Sequence, residues 1–338
     1  MKSEVLDIRA IPTNIITGFL GVGKTSTILH LLKSKPNNER WAVLVNEFGE
    51  IGIDGALVQG QQTEEQGVFI REVPGGCMCC AAGLPMQIAL NQLLAKAKPD
   101  RLLIEPTGLG HPKEVLQVLS AEYYQEVLSL QKTLTLVDAR KLTDSRYTEH
   151  ETFNQQIAIG DIVVGNKQDL YKEEDKTRLN DYVKEIGQTH AEVVFTQQGE
   201  IAFTLLDGVT ESFTLSSSSH HHHHHHHHQS KPLAADMPIP EQGFLFAKNE
   251  GEGFHSAGWR FSPDKVFSYP KLFSLLTGLC AERMKAVFIT NAGVFGYNLT
   301  ADALTEIELD DCLESRIEVI SDKLDNSLEA QLLACLSD

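Results

Sequence analysis

The chain has 338 residues, with 29 Lys plus Arg against 46 Asp plus Glu, a formal net charge of −17. That length is about twice the usual domain size and predicts two domains, and the acidic balance disfavours nucleic acid or an anionic membrane as a partner, since phosphates attract the opposite composition. An apolar fraction of 42% suffices for a buried core, no apolar run nears the roughly 20 residues that span a bilayer, and the opening MKSEVLDIRAIPTN lacks the apolar stretch of a signal peptide, so the expected location is cytoplasmic.

The first 200 residues alternate short apolar runs with helical patterns, which predicts a mostly parallel sheet with helices on both faces. In chain order, strands are expected at Asn14–Thr17, Trp41–Asn46, Val68–Glu72, Arg101–Glu105, Thr133–Asp138, Asp161–Asn166 and Glu192–Thr196, with helices at Lys24–Ser34, Leu84–Lys96, Pro112–Leu119 and Glu173–Ile186. A Ser/His-rich stretch, Ser216–Ser219 and then nine consecutive histidines (His220–His228), cannot pack a core. Beyond it a smaller α+β domain is expected, with strands at His255–Phe261, Arg283–Thr290, Val294–Asn298 and Arg316–Ile320, a helix near Pro263–Leu276 and another near Ser327–Leu336. The division is 1–210, a flexible linker over 211–242, and 243–338. The fold class is α/β for the first domain, which the G-x-x-x-x-G-K-[ST] segment at Gly18–Thr25 makes a P-loop NTPase domain, followed by this α+β domain.

The segment Gly18-Phe-Leu-Gly-Val-Gly-Lys-Thr25 fits G-x-x-x-x-G-K-[ST] between a predicted strand and helix. Glycines let backbone N–H groups curl around phosphate oxygens, and the helix N-terminus adds positive potential. Gly18, Gly21, Val22, Gly23, Lys24, Thr25 and Ser26 are therefore the expected phosphate cradle, with Lys24 on the β/γ-phosphates and the Thr25 hydroxyl on Mg²⁺. The alternative is a Gly-rich turn before a helix. Asn166-Lys167-Gln168-Asp169 follows a strand, at the carboxyl edge where open α/β sheets bind ligands. A carboxylate at Asp169 can accept from guanine N1–H and the 2-amino group together, which adenine cannot satisfy. Standing alone, such a tetrapeptide can equally be a helix-start turn. In Leu102-Leu-Ile-Glu-Pro-Thr-Gly108, Glu105 is expected to orient water or stand behind Mg²⁺, and the Gly108 N–H to face the γ-phosphate. Glu47 and Asp54 in Val45-Asn-Glu-Phe-Gly-Glu-Ile-Gly-Ile-Asp54 are candidate Mg²⁺ or water contacts. Lys24, Glu105 and Glu47 are the candidate catalytic residues.

Six cysteines occur, and three of them, Cys77, Cys79 and Cys80, crowd into four residues after Gly75-Gly76. Thiolates bind Zn²⁺ at about 2.3 Å and three leave one tetrahedral position open, which suits an ion that must leave. Glu47 can lend a carboxylate to it. A redox pair, incidental core cysteines or Cu(I) are the alternatives. The nine-His tract is read as a loose metal collector, an inert spacer or an engineered tag. His30, His111, His150, His190 and His255 are expected to be structural, with His111 closest to the EPTGLG turn.

With GFLGVGKTS, VNEFGE, GGCMCC, LIEPTGLGHP and NKQD in this order, the chain resembles the CobW-type metallochaperone GTPases, and within them the zinc-binding YeiR branch. The resemblance implies slow, zinc-stimulated GTP hydrolysis with GTP, Mg²⁺ and Zn²⁺ bound, and zinc delivery to client metalloproteins. It implies Cys77, Cys79 and Cys80 as metal ligands, Lys24 and Thr25 on phosphate and Mg²⁺, and Asn166, Lys167 and Asp169 on guanine. Where relatives carry Lys-Gly after an Arg in the C-terminal domain, this chain has Lys285-Ala286, which bears on whatever that turn contacts, a client or a neighbouring subunit. A homo-oligomer formed through nucleotide-dependent faces is compatible with the size. Two other functions fit parts of the pattern: a P-loop kinase or transferase with a structural zinc, and a non-enzymatic metal buffer.

Overall fold

The computed structural model describes residues 10–45, 64–73, 84–188, 190–211, 237–251, 254–300, 302–309 and 311–337. The predicted sites at Glu47, Asp54, Cys77, Cys79 and Cys80, and the His tract, lie outside these residues. The chain divides into two compact units.

In the first unit the elements run β1 (Ile11–Gly18), α1 (Lys24–Ser34), β2 (Trp41–Val45), β3 (Val68–Glu72), α2 (Leu84–Ala97), β4 (Arg101–Glu105), α3 (Pro112–Leu119), α4 (Glu122–Gln125), β5 (Leu128–Leu130), β6 (Leu134–Val137), α5 (Ser145–Thr148), α6 (Glu151–Ala158), β7 (Ile162–Gly165), α7 (Glu173–Ile186) and β8 (Glu192–Phe195). The strand order is β3-β2-β4-β1-β6-β7-β8, with β5 also on β1. The β1–β4, β1–β5, β1–β6, β2–β4, β6–β7 and β7–β8 pairs are parallel. Every residue of β2, β4 and β7 is buried, as near-continuous apolar runs in a doubly covered sheet require. Central β1 is flanked by β4 and β6, so the chain leaves its carboxyl end where the strand order reverses. That is where ligands bind in open α/β sheets.

Polar side chains brace the opposite end of β1. Buried Arg101 donates to Asn14 Oδ1 and to Asp207 Oδ1, both at 2.8 Å, and its guanidinium lies over the rings of Trp41 and Phe203. Asn14 in turn donates to the carbonyls of Lys132 and Leu206.

Among its described residues the second unit is a six-stranded antiparallel sheet, ordered β13-β12-β11-β14-β10-β9, with two helices. Its elements are β9 (Phe244–Gly251), β10 (Phe254–Phe261), α8 (Tyr269–Thr277), β11 (Arg283–Thr290), β12 (Gly293–Thr300), β13 (Leu304–Leu309), β14 (Ser315–Ser321) and α9 (Leu328–Ala334). The period-2 alternation puts Ala257, Trp259, Phe261, Met284, Ala286, Phe288, Ile317 and Val319 in one core with Leu272 and Leu276 of α8 and Leu328 and Leu332 of α9. The helix expected from Pro263 begins only at Tyr269. Residues 262–265 close a turn through the Lys265 N–H and the Ser262 carbonyl, and Pro270 occupies the first helical turn, where its missing N–H costs nothing.

The Lys285-Ala286 pair is not a turn. Both residues lie inside β11, where Ala286 pairs with Tyr297 and Ile317, and its side chain is fully buried in the helix-covered core. Its methyl therefore acts through packing, not through a client or subunit contact. Ala286→Gly should lower the stability of the second unit by about 1–2 kcal/mol, from strand entropy plus a small void. Denaturant melts of the purified chain would measure this, and unchanged stability would contradict the core assignment.

Candidate functional site

The loop joining β1 to α1 is shaped by three glycines at positive φ: Gly18 (142°), Gly21 (69°) and Gly23 (101°). At Gly18 a Cβ would lie 2.4 Å from the Leu136 carbonyl oxygen, and at Gly23 2.4 Å from Asn166 Nδ2. No other residue type fits either place, since conformation and space both exclude a side chain. The helix opens at Lys24, whose side chain is buried and whose ammonium donates to the Phe19 carbonyl at 3.1 Å, curling back over the loop. Val22 is buried, whereas Ser26 is exposed.

Thr25 and Glu105 meet. The Thr25 hydroxyl donates to Glu105 Oε1 at 3.0 Å, and Glu105, at the carboxyl end of β4, is 2% exposed. A carboxylate so buried must be met by donors or a cation. Gly108 follows on the same segment, and a Cβ there would come 3.1 Å from Lys24 Nζ and 3.1 Å from the Leu20 nitrogen. The phosphate-loop lysine, the β4 acid and the EPTG glycine thus share one locus.

Asn166 joins this locus to the NKQD segment. Its Nδ2 donates to the Val22 carbonyl at 2.8 Å, and its Oδ1 accepts from the Gly199 N–H at 3.1 Å. Lys167 takes the left-handed conformation (φ 65°), which turns the chain so that Asp169 lies exposed in a short 3₁₀ turn. The amide of Gln168 donates to the Thr196 carbonyl at the end of β8. Asp169 thus presents an exposed carboxylate three residues beyond a buried asparagine.

Three contributors were not read from sequence. Gly199 (φ 74°) packs against α1, with a Cβ there only 2.7 Å from the Thr27 nitrogen. A glycine after polar residues at the carboxyl end of the last parallel strand was the available signal. Asp138, at the end of β6, is 3% exposed, held by Arg140 Nε at 2.9 Å and Nη2 at 2.6 Å, with Lys167 Nζ 3.9 Å away. The hydroxyl of Tyr171 accepts from the Ala139 N–H at 2.8 Å and lies against the carbonyls of Val137 and Asn166, clamping the β6 and β7 exits together. Burial pushes its phenol well above the ordinary tyrosine range, so it stays protonated.

Among the described residues no three His, Cys, Asp or Glu side chains converge to hold a metal. In the second unit, burial and the Asp311 charge push the Cys312 thiol up to about 11, and burial raises that of Cys335. Both stay neutral thiols at cellular pH, poor ligands compared with thiolates. His111 caps α3 beside Pro112, with Nδ1 3.1 Å from Gln155 Oε1, and the His150 ring packs edge-on against Phe19. Both sit in structural contacts.

The family model of the CobW/HypB/UreG nucleotide-binding domain matches residues 12–195, more than half of the chain. The chain belongs to the CobW/HypB/UreG family. It is 42% identical over 326 residues to "Zinc chaperone YeiR" of Escherichia coli (strain K12), a match covering 95% of this chain and 97% of that protein. It is 28% identical to "Zinc chaperone CobW" of Pseudomonas aeruginosa, over 59% of this chain and 60% of that one, and 28% identical to "Zinc-regulated GTPase metalloprotein activator 1" of Schizosaccharomyces pombe, over 61% and 49%. A solved structure, Zn(II)-bound YjiA GTPase from E. coli, aligns over 97% of this chain and 99% of that chain, at 19% identity and a TM-score of 0.45. In this chain the β1–α1 loop, the β4 acid and NKQD lie at the carboxyl ends of three parallel strands, β1, β4 and β7.

No helix among the described residues is long and apolar enough to cross a membrane. Gly23→Ala places a methyl where Asn166 donates, so guanine-nucleotide binding should weaken at least about tenfold through strain and the lost contact. Titration with a fluorescent GDP would test this; wild-type affinity in the variant would refute the loop geometry.

Proposed function

We propose that this chain is a GTP-hydrolysing zinc chaperone. The observation that carries the reading is the Asn166 bridge, which ties a glycine-shaped phosphate loop to an exposed, guanine-suited carboxylate at Asp169. The relative at 42% identity, named a zinc chaperone and covered over 97% of its length, supports the cargo. The domain scheme is a GTPase domain over 1–210, a His-rich linker over 211–242 and an α+β domain over 243–338.

The backbone N–H groups of the Gly18–Thr25 loop cradle the phosphates, and Lys24 leaves the Phe19 carbonyl to meet the β/γ oxygens. Asp169 accepts from guanine N1–H and the 2-amino group. Asn166 and Lys167 hold that segment against the phosphate loop. A Mg²⁺ ion fits the chemistry of the Thr25 hydroxyl and Glu105 carboxylate, two hard oxygen donors 3.0 Å apart. Thr25 would hold it with Glu105 behind, and it would supply charge neutralisation at the β/γ oxygens. Glu105 also stands where it can orient water. Glu47 and Asp54 are proposed as further magnesium or water contacts. Zinc is the cargo, carried as substrate on the thiolates of Cys77, Cys79 and Cys80, with Glu47 as an added oxygen donor. Its recipient is a zinc metalloprotein in the cytoplasm.

Two measurements test this. Zinc affinity by chelator competition should differ between complexes with a GTP analogue and with GDP, typically by 5- to 150-fold for coupled sites. Equal affinities would reduce the zinc to a structural ion and remove the delivery role. Asp169→Asn exchanges an acceptor for a donor, so GTP affinity should fall by about two orders of magnitude or more while xanthosine triphosphate, with a carbonyl in place of the 2-amino group, gains. A variant still preferring GTP would show that Asp169 does not read the base.

A further inference from the structure

We infer that Gln156 is a positioning residue for the γ-phosphate: its side-chain amide holds the Gly108–Gly110 turn against Lys24, so that the site distinguishes GTP from GDP. The inference rests on the functional reading above and deepens it.

Gln156 is fully buried on α6. Its Nε2 donates to the Gly108 carbonyl at 3.0 Å and to the Gly110 carbonyl at 3.4 Å, so both bonds go to one segment. That segment is a closed turn, with the Gly110 N–H donating to the Thr107 carbonyl at 3.1 Å and the Leu109 N–H to Thr107 Oγ1 at 3.3 Å. The helix end carrying Gln156 is fixed to the sheet. The Gln156 carbonyl accepts from buried Thr135 Oγ1 at 2.7 Å, and Thr135 pairs with Thr17 of β1. At Gly160 a Cβ would fall 2.8 Å from the same Thr135 oxygen, so helix and strand meet without a side chain between them.

The path from the central strand to Gly108 is therefore short: β1 to Thr135, Thr135 to Gln156, Gln156 to Gly108. On its other side the Gly108 α-carbon abuts the phosphate loop and the Lys24 ammonium. With the carbonyl tied and the α-carbon lodged, the Gly108 N–H has little freedom left. A donor so preorganised discriminates a γ-phosphate without a reorganisation cost on binding.

Packing alone does not account for glutamine here. Gln156 Oε1 is buried with no hydrogen-bond partner among the described residues. A buried unmet acceptor is destabilising, and a Leu or Met of similar volume would avoid that cost. The gain lies in the two donors directed at the turn.

The experiment measures GDP and non-hydrolysable GTP-analogue affinity, with Mg²⁺, for full-length wild type and Gln156→Met, alongside melting temperature. Analogue affinity should fall about fivefold or more while GDP affinity stays within about twofold, and single-turnover hydrolysis should fall in parallel. A residue of merely structural role would lower the melting temperature and weaken both nucleotides alike, which would overturn the inference. Should the variant not fold, the ¹⁵N-labelled Gly108 amide in wild type decides: it must shift between the GDP and analogue complexes, and an unmoved resonance overturns the inference. Lys24→Ala separates the two levels. Nucleotide binding that survives Lys24→Ala sinks the functional reading and this inference with it, whereas Lys24-dependent binding with an unchanged ratio in Gln156→Met sinks this inference alone.

Discussion

The side-chain amide of Asn166 is the contact on which the described nucleotide site depends. It has one donor pair and one acceptor, and it spends them on two loops that sequence places far away: Nδ2 on Val22, 144 residues back, and Oδ1 on Gly199, 33 residues on. Replace the amide by a carboxylate and the Val22 contact becomes repulsive; shorten it and neither loop is reached. Because Asn166 is itself 2% exposed, both bonds form away from water, where leaving either unmade carries the full desolvation penalty. Gly23 is glycine for the same reason, since any Cβ would occupy the space of the amide nitrogen.

Around this contact the sheet supplies rigidity and the strand ends supply chemistry. Residues on β1, β4, β6 and β7 are buried almost throughout, so their carboxyl ends are fixed relative to one another. Each end then contributes a different group: glycines after β1, Glu105 after β4, Asp138 after β6 and Asn166 after β7. Lys167 in a left-handed conformation and the Tyr171 clamp turn the last of these outward. The strain of a positive φ at a lysine, of order 1 kcal/mol, is offset by the contacts on either side.

Much of this was legible in sequence because apolar runs and glycine punctuation report the backbone directly. The Val68–Glu72, Arg101–Glu105 and Arg283–Thr290 strands and the Lys24–Ser34, Pro112–Leu119 and Glu173–Ile186 helices have the ends that the pattern predicts. Other elements carry no such mark. Helix α6 reads ETFNQQIA, and two of its four buried positions are Thr152 and Gln156, so the apolar period fails at the residues with structural work to do. Strand β5 has three residues, and the burial of edge strand β13 only roughly follows its alternation. Asp138 and Tyr171 are invisible for a different reason. Each acts through partners set by tertiary packing, and nothing in the local spacing reveals those partners.

A fixed frame cannot by itself transmit nucleotide state, because a ligand shifts an equilibrium only as far as its differential contacts allow. GDP and GTP present the same base and the same β-phosphate, so Asp169 and Asn166 see no difference between them. What differs is one phosphoryl group, and the groups able to sense it are those that meet at the Lys24 ammonium. Lys24 holds an internal carbonyl that it must exchange for the ligand, a small and local change. The EPTG segment is the other neighbour, and it is bound on one face by the phosphate loop and on the other by a buried glutamine with an unsatisfied oxygen. A coupling of 1–3 kcal/mol between nucleotide and cargo is the size of one or two such hydrogen bonds made or lost. No large domain motion is required to account for it; one N–H donor on a turn held by the Gln156 amide, met by a γ-phosphate in one state and not in the other, is sufficient.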